Sequence, residues 1–197
     1  VHFLFLGTVL NPNLNLSLFI IFISEKSHYF SSIRLEVMDM PRVARVTIQN
    51  GCYHIITRGN QKQTIFIKDE DYQRYLYFLK KYKNRYKFKL YGFCLMPNHV
   101  HLVMEIDDPN KLSKIMHGIN LSYAIYFNYK YKKVGHLWQD RFISKIICKN
   151  SYLIDCINYI EANPVRTNLT KNLIEYPWSS YRLRLSQNNG LIDTLKI

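Results

Sequence analysis

Two histidines stand two residues apart in Met96-Pro97-Asn98-His99-Val100-His101-Leu102-Val103-Met104-Glu105-Ile106. Side chains alternate along a β-strand, so on a strand beginning at His99 both imidazoles share a face with Val103 and Glu105. The other face, Val100, Leu102, Met104 and Ile106, is wholly apolar and is the side expected against a core. Two imidazoles aimed the same way are a common offer to one divalent cation. Two hydrogen-bonded histidines at a strand end are the other reading, and spacing alone does not separate them.

A second set of reactive groups lies some sixty residues on, in Ser151-Tyr152-Leu153-Ile154-Asp155-Cys156-Ile157-Asn158-Tyr159-Ile160-Glu161-Ala162-Asn163-Pro164. At 100° per residue, Leu153, Ile154, Ile157 and Ile160 form one helical stripe. Tyr152, Asp155, Cys156, Tyr159 and Asn163 form another, with Tyr159 and Asn163 one turn apart. Proline disfavours the helical region for the residue before it, so Pro164 is expected to end this helix with Asn163 exposed at its last turn, its amide oxygen free to act as a ligand. Asn163 as a simple helix cap, and Tyr159 as an ordinary tyrosine of an amphipathic helix, are the plain readings of the same residues.

The elements that must position these groups follow from pattern. Val43 to Arg58 is β-rich with a turn at Asn50-Gly51, and Arg58-Gly59-Asn60 gives it a basic tip. Asp69-Glu70-Asp71 opens a helix to about Tyr86, with Tyr72, Tyr75, Leu76, Leu79 and Tyr82 on its inner face. Phe88 to Met96 reads as a strand joined through Pro97-Asn98 to the histidine strand as a hairpin. A helix from about Asn110 to Tyr131, a loop from Gly135, a strand at about Phe142–Cys148 and the tyrosine helix complete the order. The expected fold is therefore α+β, a ferredoxin-like or RRM-like split βαβ (β-α-β-β-α-β, antiparallel sheet) with an added C-terminal tyrosine-bearing helix.

The chain has 197 residues, with 27 Lys plus Arg against 14 Asp plus Glu, a formal charge of +13. Together with 16 tyrosines and 11 phenylalanines, that excess points to nucleic acid, a polyanion with bases to stack on. Codon bias toward Lys and Tyr explains part of the count, so charge is support and not proof. Cys52, Cys94, Cys148 and Cys156 form no C-x-x-C pair, which suits a reducing cytoplasm.

Residues 1–24 carry no Lys, Arg, Asp or Glu. Their apolar run is broken by Asn11-Pro12-Asn13 and Asn15, and its second half falls short of the ~20 residues of a membrane span. No membrane association is expected. Residues 1–39 are expected to be a non-domain extension, translated from upstream DNA by a misplaced start, the true start being Met38 or Met40, with the domain at 40–185 and a tail at 186–197. N-terminal sequencing of the native protein checks this, and a native chain starting at Val1 would defeat it.

The histidine pair, Tyr159-Ile160-Glu161-Ala162-Asn163-Pro164-Val165-Arg166, Gly135-His136-Leu137-Trp138-Gln139-Asp140-Arg141-Phe142 and Trp178-Ser179-Ser180-Tyr181 occur in one order. That combination resembles the single-tyrosine HUH transposases of the IS200-like superfamily, and most of all the REP-associated tyrosine transposase branch, over about Met40 to Leu185. The resemblance implies that His99, His101 and Asn163 hold Mg²⁺ or Mn²⁺ and that Tyr159 attacks single-stranded, hairpin-flanked DNA to give a 5′-phosphotyrosine. Arg58, Trp138 and Arg141 are expected at the DNA, although Trp138 reads equally well as a core anchor. His54 and His136 are assigned no metal role, and Tyr152 is the fallback nucleophile. Glu105 reads more simply as a solvated residue than as a partner of the histidines. A homodimer is possible on this resemblance, with the tyrosine acting in the same chain or in its partner. The competing class is a domesticated single-strand-binding module that does not cut. An RRM-like RNA binder shares the element order, but Lys89-Leu90-Tyr91-Gly92-Phe93 fits its aromatic signature poorly.

Overall fold

The computed structural model describes residues 46–147, 151–186 and 190–195. The proposed start at Met38 or Met40, Val43 and Arg45 of the first β-rich stretch, Cys148 and Asn150 lie outside them. All described residues belong to one compact unit, Val43–Ile197.

Strand β1 (Gly51–Arg58), helix α1 (Asp69–Tyr86), strands β2 (Lys89–Met96) and β3 (His99–Ile106), helix α2 (Lys111–Tyr131) and strand β4 (Ile143–Ile147) follow in the expected order. The sheet order is β2-β3-β1-β4, and every neighbouring pair is antiparallel. This is the split βαβ arrangement, with β3 inserted between β1 and β2. The first strand is shorter than its pattern suggests. Residues 46–48 stay outside the sheet, beyond a turn in which Asn50 has φ 50°. Tyr53 holds that segment, its hydroxyl accepting from the Ile48 N–H at 2.8 Å and donating to the Ile48 carbonyl at 3.0 Å.

One sheet face packs on α1 and α2. Tyr53 and Ile55 of β1 and Val100, Leu102, Met104 and Ile106 of β3 meet Tyr75, Leu79, Ile115, Ile119, Tyr123 and Phe127 there. Between the two helices lies buried Asp71. It accepts hydrogen bonds from the N–H groups of Ile67 and Lys68, from Tyr126 and Tyr131, and from Lys130 at 2.6 Å. The carboxylate thus caps α1 and pins α2 to it, which satisfies a charge that burial would otherwise make costly.

The opposite face, which carries the histidines, is also covered. Helix α3 (Ser151–Glu161) lays Leu153, Ile157 and Ile160 on Cys52, Tyr91, Cys94, Met96 and Val103. Ile157 packs over Gly92, where a Cβ would meet it at 3.4 Å, an ordinary van der Waals distance. Pro164 does not stop helical winding as its position suggests. It ends α3 at Glu161 but sits in the first turn of a new short helix α4 (Asn163–Arg166), where its missing N–H costs nothing.

Helix α5 (Ser180–Leu185) closes the domain. Buried Glu161 accepts from Ser180 Oγ and from the Arg184 guanidinium at 3.0 Å, and Arg184 also donates to the Tyr91 carbonyl at 2.8 Å. Part of the stretch expected to be a tail is built in. Ile192 is buried, Asp193 exchanges backbone and side-chain hydrogen bonds with Leu90, and Lys83 pairs with Asp193 at 2.7 Å.

Candidate nucleic-acid cleavage site

His99 lies opposite Met96 on β2 and Arg58 on β1, and His101 lies opposite Cys94 and Ile56. Both histidines share the α3 face of the sheet, because their direct partners do. His101 is only 7% exposed, whereas His99 is half-buried at the sheet's end. Their rings meet edge to face at 4.9 Å between centres. His54 of β1, opposite Val103 and so diagonal to His101, completes a row: its Nε2 is 3.0 Å from His101 Nδ1 and the rings stack. The sequence reading gave His54 no metal role, and the signal for its contact with His101 is a cross-strand register that no local motif contains.

Burial first, and then the Arg58 cation, hold His99 down at about 4. His101 falls to about 3, through burial, then the neighbouring His99 and His54, then Arg58. His54 is also lowered, by burial and then by Lys145. All three are therefore neutral near pH 7, the form in which an imidazole nitrogen keeps a lone pair for a cation.

Helix α3 brings the second set of groups to this end. Ile157 sits at the level of Gly92 and Val103, and one turn later the Glu161 carboxylate adds to burial in pushing the Cys94 thiol up. Cys94 is the partner of His101, so the C-terminal end of α3 reaches the histidine level of the sheet. Tyr159 on that end is 47% exposed, and the Arg166 guanidinium lies 4.5 Å above its ring centre. Tyr152, a full two turns earlier, is 72% exposed near the opposite end of α3. Asn163 corrects the expectation of an exposed last turn: it is 8% exposed, because α4 continues the winding and tucks it in. Its amide Nδ2 is buried without a hydrogen-bond partner. Oxygen and nitrogen of an amide exchange by a flip, so this uncommitted end suits an oxygen donor to a cation as well.

Arg58, Trp138 and Arg141 gather at the same sheet end. The loop pairs with the end of β1 through Asn60 N–H to the Leu137 carbonyl at 2.8 Å and Gln139 N–H to the Arg58 carbonyl at 2.9 Å. Gly59 in turn donates to the Asn98 carbonyl beside His99. Arg58 and Arg141 are exposed. Trp138 is half-buried, its indole N–H donating to the Asn120 carbonyl at 2.9 Å and its ring set against Tyr123. Its place is that of the loop's anchor, with one part of the ring still at the surface. Lys145, opposite His54 on β4, is exposed on the same face and adds a cation the sequence reading did not single out. Glu105 lies at the far end of β3, bound to Tyr91 at 2.6 Å and Lys89 at 3.0 Å, and not with the histidines.

Two neutral imidazoles on one face are nitrogen donors that a hard, open-sided cation such as Mg²⁺ or Mn²⁺ can take, and the buried amide of Asn163 is a candidate oxygen donor. Among the described residues no group of three or more His, Cys, Asp or Glu side chains is arranged to hold a metal. Among the same residues no helix is long and apolar enough to cross a membrane.

Comparison with known proteins places these features in context. The family model for IS200-like transposases matches residues 47–163, more than half of the chain. A Haemophilus influenzae protein assigned as a REP-associated tyrosine transposase is 25% identical over 142 residues, covering 60% of this chain and 77% of that one. A solved structure of a REP-associated tyrosine transposase bound to a REP hairpin has a TM-score of 0.63 at 21% identity, covering 78% of this chain and 89% of that one. The last similarity shows that the fold is shared.

Proposed function

The chain belongs to the IS200-like transposase family, and we propose that it cuts and rejoins single-stranded, hairpin-flanked DNA through Tyr159. The observation that carries this reading is a convergence. The sheet presents neutral His99 and His101 at the end to which α3 brings an exposed tyrosine capped by Arg166.

The residues divide the work. Tyr159 Oη attacks the scissile phosphorus, the new O–P bond replaces the bond to the 3′ oxygen, and that oxygen leaves as a 3′-OH after taking a proton. The strand's 5′ phosphate stays on the tyrosine, so the bond energy is kept for rejoining by the reverse attack. His99, His101 and Asn163 would hold Mg²⁺ or Mn²⁺, which when bound polarises a phosphate oxygen and orients the group. Arg58 at the end of β1 and Arg141 on the loop that Trp138 anchors neutralise flanking phosphates and hold the strand across the sheet end. Arg166 holds the Tyr159 ring in place from above. The REP hairpin held by the similar solved structure makes a hairpin-bearing strand the substrate class of choice.

The test is a denaturing gel assay on 5′- and 3′-labelled single-stranded hairpin DNA taken from the gene's flanks, with Mg²⁺ or Mn²⁺. Metal-dependent cleavage is expected, together with a covalent protein–DNA band that is absent from Tyr159→Phe and from the double variant His99→Ala/His101→Ala. Tight binding without cleavage by the wild type would replace this reading with that of a single-strand-binding module.

A further inference from the structure

His54 takes no part in the chemistry just described, yet it is bonded to the more deeply buried of the two histidines. We infer that His54 is a positioning residue: its Nε2 accepts the Nδ1–H of His101 and so fixes His101 as the tautomer whose Nε2 is bare. The direction assigned to this proton rests on the cation-site reading of His99 and His101, whereas the 3.0 Å contact itself does not.

A contact of 3.0 Å between His54 Nε2 and His101 Nδ1 carries one proton, donated by one ring and accepted by the other. If His54 donated, His101 would carry its proton on Nε2 and have no lone pair there to offer. If His101 donates, its Nε2 is bare. His99 displays the second pattern without ambiguity. Its Nδ1 is 2.6 Å from Asn98 Oδ1, and Asn98 Nδ2 donates to the Lys62 carbonyl at 3.3 Å, which fixes the oxygen end of that amide. An amide oxygen only accepts, so His99 is protonated on Nδ1 and bare at Nε2. With His54 as acceptor, both histidines present the same nitrogen. A histidine that ligates through one nitrogen nearly always donates its other N–H to a fixed acceptor.

The acceptor is supplied by the sheet itself. His54 is paired with Val103 and sits diagonal to His101, with ring centres 5.2 Å apart and planes within 25°. Its position is set by the β1–β3 ladder and not by a loop, which gives the orientation of His101 the rigidity of the sheet.

Nitrogen-resolved NMR of the imidazoles in the metal-free full chain reads the tautomer directly. His101 is expected with its proton on Nδ1, mixed between nitrogens in His54→Phe, and restored in His54→Gln, whose side-chain oxygen can accept at similar reach. In a Mn²⁺ titration of the same proteins, His54→Phe should weaken binding by about 10- to 100-fold and His54→Gln should recover most of it. Thermal melting of each variant separates this loss from unfolding. A wild-type His101 protonated on Nε2 overturns the inference, as does a His54→Phe protein with an unchanged tautomer and unchanged Mn²⁺ affinity. If the wild type binds no Mn²⁺ but His101 keeps a His54-dependent Nδ1–H, the cation reading falls and the role of His54 stands.

Discussion

Arg166 follows Tyr159 by seven residues, and its guanidinium carbon sits 4.5 Å from the centre of the tyrosine ring. Two helical turns bring side chains back to nearly the same direction. The contact therefore exists because Pro164 restarts the helix as α4 instead of releasing the chain. Arg166→Ala should slow formation of the covalent adduct by about two- to fivefold, the scale of an exposed cation–π contact. Arg166→Lys should lose less, and hairpin affinity should change less than the adduct rate in both. Single-turnover kinetics with separately measured binding checks this.

Arg58 stands across from His99, and Lys145 stands across from His54 on the same face. If both meet phosphates, each alanine variant should flatten the dependence of log affinity on log salt by about 0.7 for single-stranded DNA. The loss should be nearly the same across hairpin sequences. Fluorescence anisotropy at four or five salt concentrations gives the slope, and a slope unchanged in Arg58→Ala removes that residue from the phosphate path.

Asp71 sets an acid limit on the fold. Burial alone would push its pKa up, but hydrogen bonds from Lys130, Tyr131 and the Lys68 and Ile67 N–H groups outweigh this and hold it at about 2, below its ordinary 3.8. The unfolded chain then takes up the proton at higher pH than the folded one. Its stabilising contribution is complete above about pH 4 and disappears as the pH falls through about 2. Asp71→Asn should lower stability by about 3 kcal/mol near neutral pH, because Lys130 loses the buried carboxylate at 2.6 Å and is left with the exposed Glu70 at 3.6 Å. Urea unfolding at pH 7 and at pH 3 should show that gap narrowing at the lower pH.

Glu161 joins α3 to α5 through Ser180 and Arg184. Glu161→Ala should cost about 3 kcal/mol, the low end for breaking a buried pair, because Arg184 is a third exposed. Below the melting temperature of that variant, the adduct should form more slowly while Arg58-dependent binding persists. Equal loss of binding and cleavage would mean that the clasp supports the whole domain and not the tyrosine helix in particular.

Local patterns were enough for much of this fold. The helical spacing of Tyr72, Tyr75 and Leu79 gives α1, and the alternation from His99 to Ile106 gives β3 with its apolar side on the helices. The hairpin at Pro97-Asn98 follows from turn chemistry. What escaped depends on partners distant in the chain. His54 meets His101 only through the β1–β3 register, 47 residues apart in sequence. The burial of Glu161 depends on Ser180 and Arg184, whose approach no periodicity encodes. Asn163 was misread because Pro164 disfavours helix for its predecessor without forbidding a fresh turn around it. The alternation rule also says only which side of β3 is apolar. It does not say that a later helix will roof the polar side, as α3 does.

The clasp between Glu161 and α5 carries a consequence for the order of assembly during synthesis. The four strands of the described sheet, with His99 and His101, end at Ile147, whereas Ser180 and Arg184 come more than thirty residues later. A nascent chain whose last forty residues are still in the ribosomal tunnel can pair its sheet and set His99 beside His101. It cannot yet fasten the helix that bears Tyr159. Tyr159, the nucleophile proposed above, is thus secured only after the sheet has formed, and a chain released early by a premature stop would hold the histidine row without a fastened tyrosine helix.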